Sequence, residues 1–486
     1  MKRLFFCIFS FLLFFNTILI AQSITWQRVL NNNHGGFKRV QQTYDGGYVA
    51  IGSDYVGNEE KIYLTKFNYL GNTLWTKIIG TGFTNGYWVE ETNDKGLIIS
   101  GSTTLGTSDS YAYLVKTDSL GIIQWQKTFS NSDWDFCYCA KQTPDNGYIL
   151  VCRYFPFVEG TWFIKTDNTG NILWQKTYYN TYVSQICAFL ELQILNDGYI
   201  SVGWITEIAA QHTDAYVMRL NLNGDTLWTR RYGGSGTDAG YSIDKIGNSG
   251  FILVGNSFSF NPNHEETYLV RIDNLGNTVW QRTYSNNYFE GCWSVVYKPD
   301  TGIIMCGQSD TVEAGNRIAI LRIVDSSGNL KRQKHFYPGT QGGWFRNVNI
   351  SNDGGYIIGG TVASSYFPKM YIVKTDSLLE AEPIGIIIGN ENIPQNYILY
   401  QNYPNPFNSQ TKINLELKSN AKVKILVYDI TGRLIKTLVN SDLNIGFHNF
   451  IFSTEEKQIC SAVYFYSLYI DNSFIPVITR KLVYLK

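Results

Sequence analysis

The sequence predicts an all-β chain, a seven-bladed β-propeller followed by a small C-terminal β-sandwich, and three observations carry that expectation. A strand, turn, strand pattern from Ile62 to Lys77, IYLTKFNYLGNTLWTK, returns at Tyr113 to Lys127, Trp162 to Lys176, Tyr216 to Arg230 and Tyr268 to Arg282, with weaker copies in AILRIVDSSGNLKRQ and YIVKTDS. A Gly-containing turn and an apolar run precede each copy, and the aligned glycines Gly47, Gly96, Gly147, Gly198, Gly250, Gly302 and Gly355 stand 49 to 53 residues apart. Charged residues make up only 16% of the 486-residue chain while aromatics reach 15%, a balance that suits strands and turns rather than long helices.

Taken in order, the chain opens with Lys2 and Arg3 ahead of an apolar run from Leu4 to Ile20. This reads as a cleaved secretory signal peptide over residues 1–22. Residues 23–378 hold the repeats. Each unit has about four short strands, because another strand such as Phe37 to Thr43 precedes the glycine turn, and four strands in roughly 50 residues describe a propeller blade. The seventh unit lacks its Trp-bearing fourth strand after Asp376, and a spare copy, ITWQRVL with Trp26, stands at the mature N-terminus. The first strand is therefore expected to complete the last blade and remove an open edge. Trp75, Trp125, Trp174, Trp228 and Trp280 repeat at one position of the fourth strand, with Lys331 read as the replacement in the sixth unit. Residues repeated in every blade are read as packing. The recurring Lys66, Lys116, Lys165, Arg219, Arg271, Arg322 and Lys374 are expected to lay their stems on the sheet and keep their charges in water.

In an up-and-down blade, alternate connections share a face. The glycine turns and the D-x-x-G-N turns are short and lie together, whereas the second-to-third and fourth-to-first connections are longer, differ in sequence and occupy the other face. Variable loops on a rigid scaffold are the usual place for binding. The candidate ligand-binding residues are therefore Tyr154, Phe155, Phe157, Trp204, Phe258, Phe260, Tyr288 and Phe289, aromatic platforms for a sugar or a protein, although packing back over the blades is the plainer reading of each.

Lys plus Arg equals Asp plus Glu at 40 each, so no net field draws nucleic acid. Seven cysteines follow the signal region, Cys137, Cys139, Cys152, Cys187, Cys292, Cys306 and Cys460, in no zinc spacing, and buried thiols are the preferred reading. Cross-hairpin pairing of Cys292 with Cys306, or of Cys152 with Cys137 or Cys139, stays open. The five histidines are scattered without metal spacing. Asp133, Asp135 and Asp238 are read as turn residues rather than calcium ligands, and Gly234 to Gly240 as a loop rather than a phosphate cradle. No catalytic constellation, metal site or cofactor is expected. The repeats resemble those of secreted bacterial propellers near the quinoprotein group, but that group has eight blades and adjacent cysteines, and this chain has neither.

Residues 379–396 read as a linker and residues 397–486 as a sandwich of about seven strands. Within the latter, Tyr403-Pro404-Asn405-Pro406-Phe407-Asn408, Val427 to Arg433 with Gly432, Gly446-Phe-His448, Val463-Tyr-Phe-Tyr466 and Thr479 to Lys486 closely resemble, in order, the type A C-terminal sorting domain of the type IX secretion system of Bacteroidetes and related bacteria. Ser409 and Ala462 depart from that pattern. The resemblance implies periplasmic transit, passage through the outer membrane by the type IX machinery, and surface attachment or release, with no integral membrane segment after signal cleavage. The expected role is a secreted or cell-surface binding or scaffold module for a protein or glycan. The alternative is a secreted hydrolase or lyase acting on polysaccharide or peptide at the variable face.

Overall fold

The computed structural model describes residues 24–485 apart from 31–34, 107, 156–159, 179–184, 208–211, 262, 286–288, 311–316, 339–341, 364–367, 383–384, 387–396, 418, 430–432, 455–459 and 471–477. The expected signal peptide, much of the expected linker, and Phe157, Tyr288, Gly432 and Lys486 lie outside the described residues.

Six sheets are four-stranded antiparallel meanders, from Phe37–Gln42, Tyr48–Val56, Glu59–Phe67 and Thr73–Ile79 in blade 1 to Glu290–Lys298, Gly302–Asp310, Arg317–Val324 and Leu330–Phe336 in blade 6. The seventh sheet takes Gly343–Ile350, Tyr356–Val362 and Lys369–Thr375 from the far end of the repeats and Trp26–Val29 from the near end. Trp26 stands opposite Lys374, the register in which Trp75 opposes Lys66 and Trp125 opposes Lys116. Gly385–Ile386 adds in parallel to the free side of this N-terminal strand. The expected clasp is thus present. Second and third strands such as Leu97–Thr103 and Gly160–Thr166 are buried along their whole length because blades cover both their faces, which explains their continuous apolar runs. Outer strands such as Ile123–Phe129 alternate instead.

The blades meet at a repeated contact between a tryptophan and a turn glycine of the next blade. The third-to-outer turn is built by Asp or Asn accepting two backbone N–H groups, as Asp118 Oδ1 does from Leu120 (2.9 Å) and Ile122 (2.8 Å). Its glycine sits at positive φ, +77° at Gly71 and +75° at Gly121. A β-carbon there would also meet the neighbouring indole, 2.4 Å from Trp26 at Gly71 and 2.9 Å from Trp75 at Gly121. Conformation and packing therefore both demand glycine. Blade 6 breaks the pattern. The ladder of its third strand has the same length as that of blade 5, and it puts Ile323, not Arg322, in the series of Lys66, and Arg332, not Lys331, at the tryptophan position, opposite Ile323. With no indole to fit, the next turn carries Leu379 at φ +67°, fully buried in the space between the blades.

Five of the recurring basic residues are buried and paired with a carboxylate rather than wet, while the partly buried Arg271 donates to Ser249 (2.9 Å). Lys66, Lys116, Lys165, Arg219 and Lys374 are each at most 6% exposed and reach across the blade to Asp45 (2.7 Å), Asp94 (2.9 Å), Asp145 (2.8 Å), Asp197 and Asp353 (2.8 Å) in the glycine turn. The same carboxylate accepts the glycine N–H, 2.9 Å from Gly47 to Asp45 and 3.1 Å from Gly96 to Asp94. The stem is too short to pass the turn, so the charge ends where the Asp waits. Burial alone would raise the carboxyls of Asp45, Asp94, Asp145 and Asp353, but hydrogen bonds from the lysine, the Thr or Ser hydroxyl and the glycine N–H outweigh it and hold them below the usual range.

The buried thiols of Cys139, Cys152, Cys292 and Cys306 are pushed up by desolvation. Cys137 lies directly opposite Cys152, whereas Cys292 faces Gly307 and Cys306 faces Ser294.

The C-terminal strands form a three-stranded sheet, with Gln410–Leu417 between Tyr397–Leu399 and Gly446–Ser453, and a four-stranded sheet in the order Leu434–Leu443, Ala421–Asp429, Ala462–Ile470, Ile478–Tyr484. Phe407, Ile413, Leu415, Val423, Ile425, Val427, Phe452, Tyr466 and Leu482 fill the core of this sandwich.

Two predictions follow from these contacts. Trp26→Ala should lower stability by about 3–5 kcal/mol and Gly71→Ala by about 1–3 kcal/mol, with the double variant less destabilised than the sum because the clash is gone; strict additivity in urea unfolding would remove the seam argument. The Asp94 carboxyl is depressed in the fold, so its contribution is complete above the unfolded carboxyl value of about 3.9 and disappears as pH falls through the lower folded value. The stability gap between wild type and Asp94→Asn should accordingly close on acidification, and a gap constant with pH would contradict the pairing.

Candidate functional site

The seven inner strands surround a central channel, and each carries a β-bulge at the same register. A bulge inserts one residue without a ladder partner and turns its side chain out of the sheet. Here the inserted residues are Lys38, Tyr87, Tyr138, Leu190, Tyr241, Trp293 and Arg346. They lie in the first half of each strand, next to the outer-to-inner loops, so they collar the channel at its mouth on the variable face.

Several of these residues touch one another or a neighbouring side chain. Tyr87 stacks on Tyr138 with centroids 4.6 Å apart. The Arg153 guanidinium lies among Tyr138 (5.3 Å), Phe155 (5.2 Å) and Trp204 (4.9 Å). Trp204 meets Tyr241 edge-on at 6.2 Å, and Arg346 lies 4.5 Å over Trp293. Burial lowers the basicity of Lys38, with Arg346 nearby adding to the effect and Glu60 opposing it. Burial likewise lowers Arg346 and Arg153, while it pushes the Tyr241 hydroxyl up to about 12 and raises the carboxyls of Glu60 and Glu265. Half-buried aromatic faces and cations thus share one concave surface, the composition of a polar-ligand pocket.

Below the collar the channel narrows. Arg39 lies 3.1 Å over the Trp88 ring and 3.7 Å from Glu191 on the opposite side of the ring. Beyond it a cavity of about 370 Å³ is lined by Arg39, Gln41, Glu90, Lys141, Glu191, Gln193, Asp244 and Asn349, among others. Its polar groups tie consecutive blades. Glu90 accepts from the Gln142 N–H (3.3 Å), Lys141 donates to Gln193 (2.9 Å), Gln193 to the Ile243 carbonyl (2.7 Å), and Asp244 accepts from the Tyr297 N–H (2.8 Å). Asn349 then closes the circle by donating to the Val40 carbonyl (2.6 Å). Burial raises the carboxyls of Glu90 and Asp244. Because Glu90 and Asp244 each hold the next blade and Glu191 pairs across the ring with Arg39, this ring reads as a structural girdle.

The aromatics chosen from sequence divide. Phe155 and Trp204 join the collar through Arg153. Tyr154 is buried in the blade 3 core against Gly160. Phe258 and Phe260 are exposed, and Phe260 leans on Tyr268 at 5.5 Å; Phe289 is half-buried, its carbonyl accepting from the Asp310 N–H at 2.9 Å. Asp135 and Asp238 serve their own loops, Asp135 accepting from the Asn131 N–H and Asp238 from the Gly234 N–H, each at 2.8 Å. Among the described residues no group of three or more His, Cys, Asp or Glu is arranged to hold a metal ion, and no helix is long and apolar enough to cross a membrane.

In the C-terminal sandwich, the Tyr403 to Asn408 segment is fastened to the terminal strand. Asn405 accepts from the Val483 N–H (2.8 Å), the Phe407 N–H donates to the Val483 carbonyl (2.9 Å), and the Leu485 N–H donates back to Phe407 (2.9 Å). The buried Phe407 ring packs against Phe452 (5.9 Å) and Tyr484 (5.3 Å). Tyr403, Pro404, Pro406 and Asn408 remain exposed, and both prolines follow cis peptide bonds. Gly446 opens the strand after the turn at φ +133°, with open space around it.

Residues 401–483 match the family described as the secretion system C-terminal sorting domain, and this part of the chain is a type IX sorting domain. No curated protein matches the chain. Among solved structures the chain is similar to the WD40 domain of Neurospora crassa Pan2 (12% identity, 71% of this chain and 92% of that one, TM-score 0.45). It is also similar to a PL25 ulvan lyase (11%, 71% and 95%, TM-score 0.45) and to the propeller domain of the Trilobed protease from Pyrococcus furiosus (11%, 72% and 95%, TM-score 0.39).

Phe407→Ala removes the ring that locks the motif to the terminal strand and should cost the sandwich about 3–5 kcal/mol. Thermal unfolding of the full chain should show an early transition assigned to the C-terminal strands, and an unchanged profile would mean that the ring does not anchor them.

Proposed function

We propose that the protein is an exported, surface-directed binding module, and that its ligand is a glycan held at the collar on the variable face of the propeller. Export rests on the sorting domain, whose presence supports passage through the type IX machinery and delivery to the cell surface or the medium. A cleaved signal peptide over residues 1–22 would supply the preceding periplasmic step. Binding rests on one observation above all, the bulge that places a Lys, Tyr, Trp or Arg at the same register of six of the seven inner strands. Stacked faces flanked by hydrogen-bonding groups suit a sugar ring, which presents an apolar face and a polar rim. The narrow waist at Arg39 favours a ligand that sits on the mouth over one that threads the channel.

Two experiments test the two halves. Removal of residues 401–483 should leave the protein inside the cell while the full chain reaches the surface or medium, as followed by fractionation and immunoblotting; equal export of both would sink the export half. Full-length protein probed on a glycan array should bind a defined set of saccharides, and Tyr138→Ala or Trp293→Ala should weaken that binding about tenfold or more, in line with about 1–3 kcal/mol for a lost stacking face. Binding that survives both substitutions would move the site elsewhere. Shortening of a bound polymer would favour the hydrolase or lyase alternative.

A further inference from the structure

The collar is not uniform around the ring. Its aromatic members concentrate in blades 2 to 6, whereas blades 7 and 1 contribute Arg346 and Lys38. Those two strands are direct neighbours, joined by the Val40 N–H donating to Asn347 Oδ1 at 3.0 Å and by Asn349 donating to the Val40 carbonyl at 2.6 Å, so the two inserted cations stand side by side at the mouth. A third cation, Arg317, lies 5.6 Å over Trp344 in the same sector and acts electrostatically on Arg346. Among the described residues the carboxylates on this side are Glu60, which is hydrogen-bonded to Asn85 and near Asp54, Asp310, which acts on Arg317, and Glu265, which is hydrogen-bonded to Asn256 and near Tyr241.

Placing like charges together in a partly desolvated mouth is unfavourable unless something of opposite sign joins them. Deeper in the channel the chain supplies that partner, since Arg39 faces Glu191. At the mouth it does not, because among the described residues neither Lys38 nor Arg346 forms an ion pair. The Arg346 guanidinium also lies 4.5 Å over the Trp293 ring, and a guanidinium on an aromatic ring can still donate to a carboxylate or sulfate.

We infer that the Lys38 and Arg346 sector of the collar is an anion subsite, and that the ligand is an acidic saccharide whose carboxylate or sulfate lies between these two cations while a sugar ring stacks on the adjoining aromatics. The inference rests on the collar being the binding surface, and it adds the substrate class. It makes binding salt-dependent, and it gives the two halves of the collar separate tasks, charge recognition in blades 7 and 1 and stacking in blades 2 to 6.

The test is calorimetric titration of the full chain with two acidic hexasaccharides, an oligogalacturonate as the carboxylate source and a sulfated galactan as the sulfate source, each beside its carboxyl-reduced or desulfated counterpart. At least one acid should bind about tenfold or more tightly than its neutral counterpart, with added salt narrowing the margin, and which acid does so identifies the anion. Lys38→Gln and Arg346→Gln should each erase the margin without lowering the melting temperature, whereas Trp293→Ala should weaken the acidic and neutral forms alike. Equal affinity for acid and neutral forms, still sensitive to Trp293→Ala, would overturn the anion subsite and leave the collar reading standing. Absence of saturable binding by any of the four, or binding indifferent to Trp293→Ala, would overturn both.

Discussion

Six of the seven seams of the propeller depend on an indole packed against a glycine of the neighbouring blade. The contact transmits from blade to blade, and at the last seam it is made by Trp26 from the start of the chain against Gly71. Hydrogen bonds reinforce it there, from the Trp26 indole N–H to the Tyr69 carbonyl and from Arg28 to the Leu70 carbonyl, both at 3.1 Å. The ring holds the inner strands at a fixed separation, and that separation lets the polar girdle from Glu90 to Asn349 find its partners. The collar in turn exists because the inner strands are pinned on both sides. The geometry of the mouth is therefore set by packing at the rim.

The repeat was legible because its period is long, regular and marked by glycines whose backbone angles leave few substitutes. Closure was legible for a related reason, that Trp26 stands in a recognisable copy of a strand the seventh unit lacks. The frame of blade 6 was misread. Arg322 stands three residues before the turn residue Asp325, where the other basic residues stand two before theirs, so matching the basic residue assigns Arg322 and Lys331 where the ladder puts Ile323 and Arg332. The basic series was recognised but its environment was not, because the partner aspartate lies about twenty residues upstream in a turn and only the folded blade brings the two together.

The collar escaped sequence reading although its column can be found in retrospect. Lys38, Tyr87, Tyr138, Tyr241, Trp293 and Arg346 each stand nine residues before the aligned glycine, and Leu190 stands eight before it. A column reading K, Y, Y, L, Y, W, R has no repeat signature, and residues that differ from unit to unit are the ones a search for repeats discards. A bulge is also a property of pairing rather than composition. Of the aromatics in the long loops, Phe155 and Trp204 belong to the collar.

The N-terminal strand has a further consequence in time. Gln27 bonds to Tyr371, 344 positions away, so the first strand to be made pairs with the last strand of the repeats. Non-local closure of this kind is slow because the chain entropy must be given up before the contact rewards it. Until Lys369–Thr375 is available, blade 7 has no outer strand and blade 1 has no indole on Gly71, which leaves two raw edges in a nascent chain. The sorting domain lies C-terminal to the closing strand, so a polypeptide that has emerged far enough to display it has also emerged far enough to shut the ring. Order of synthesis thereby places completion of the cargo before presentation of its address.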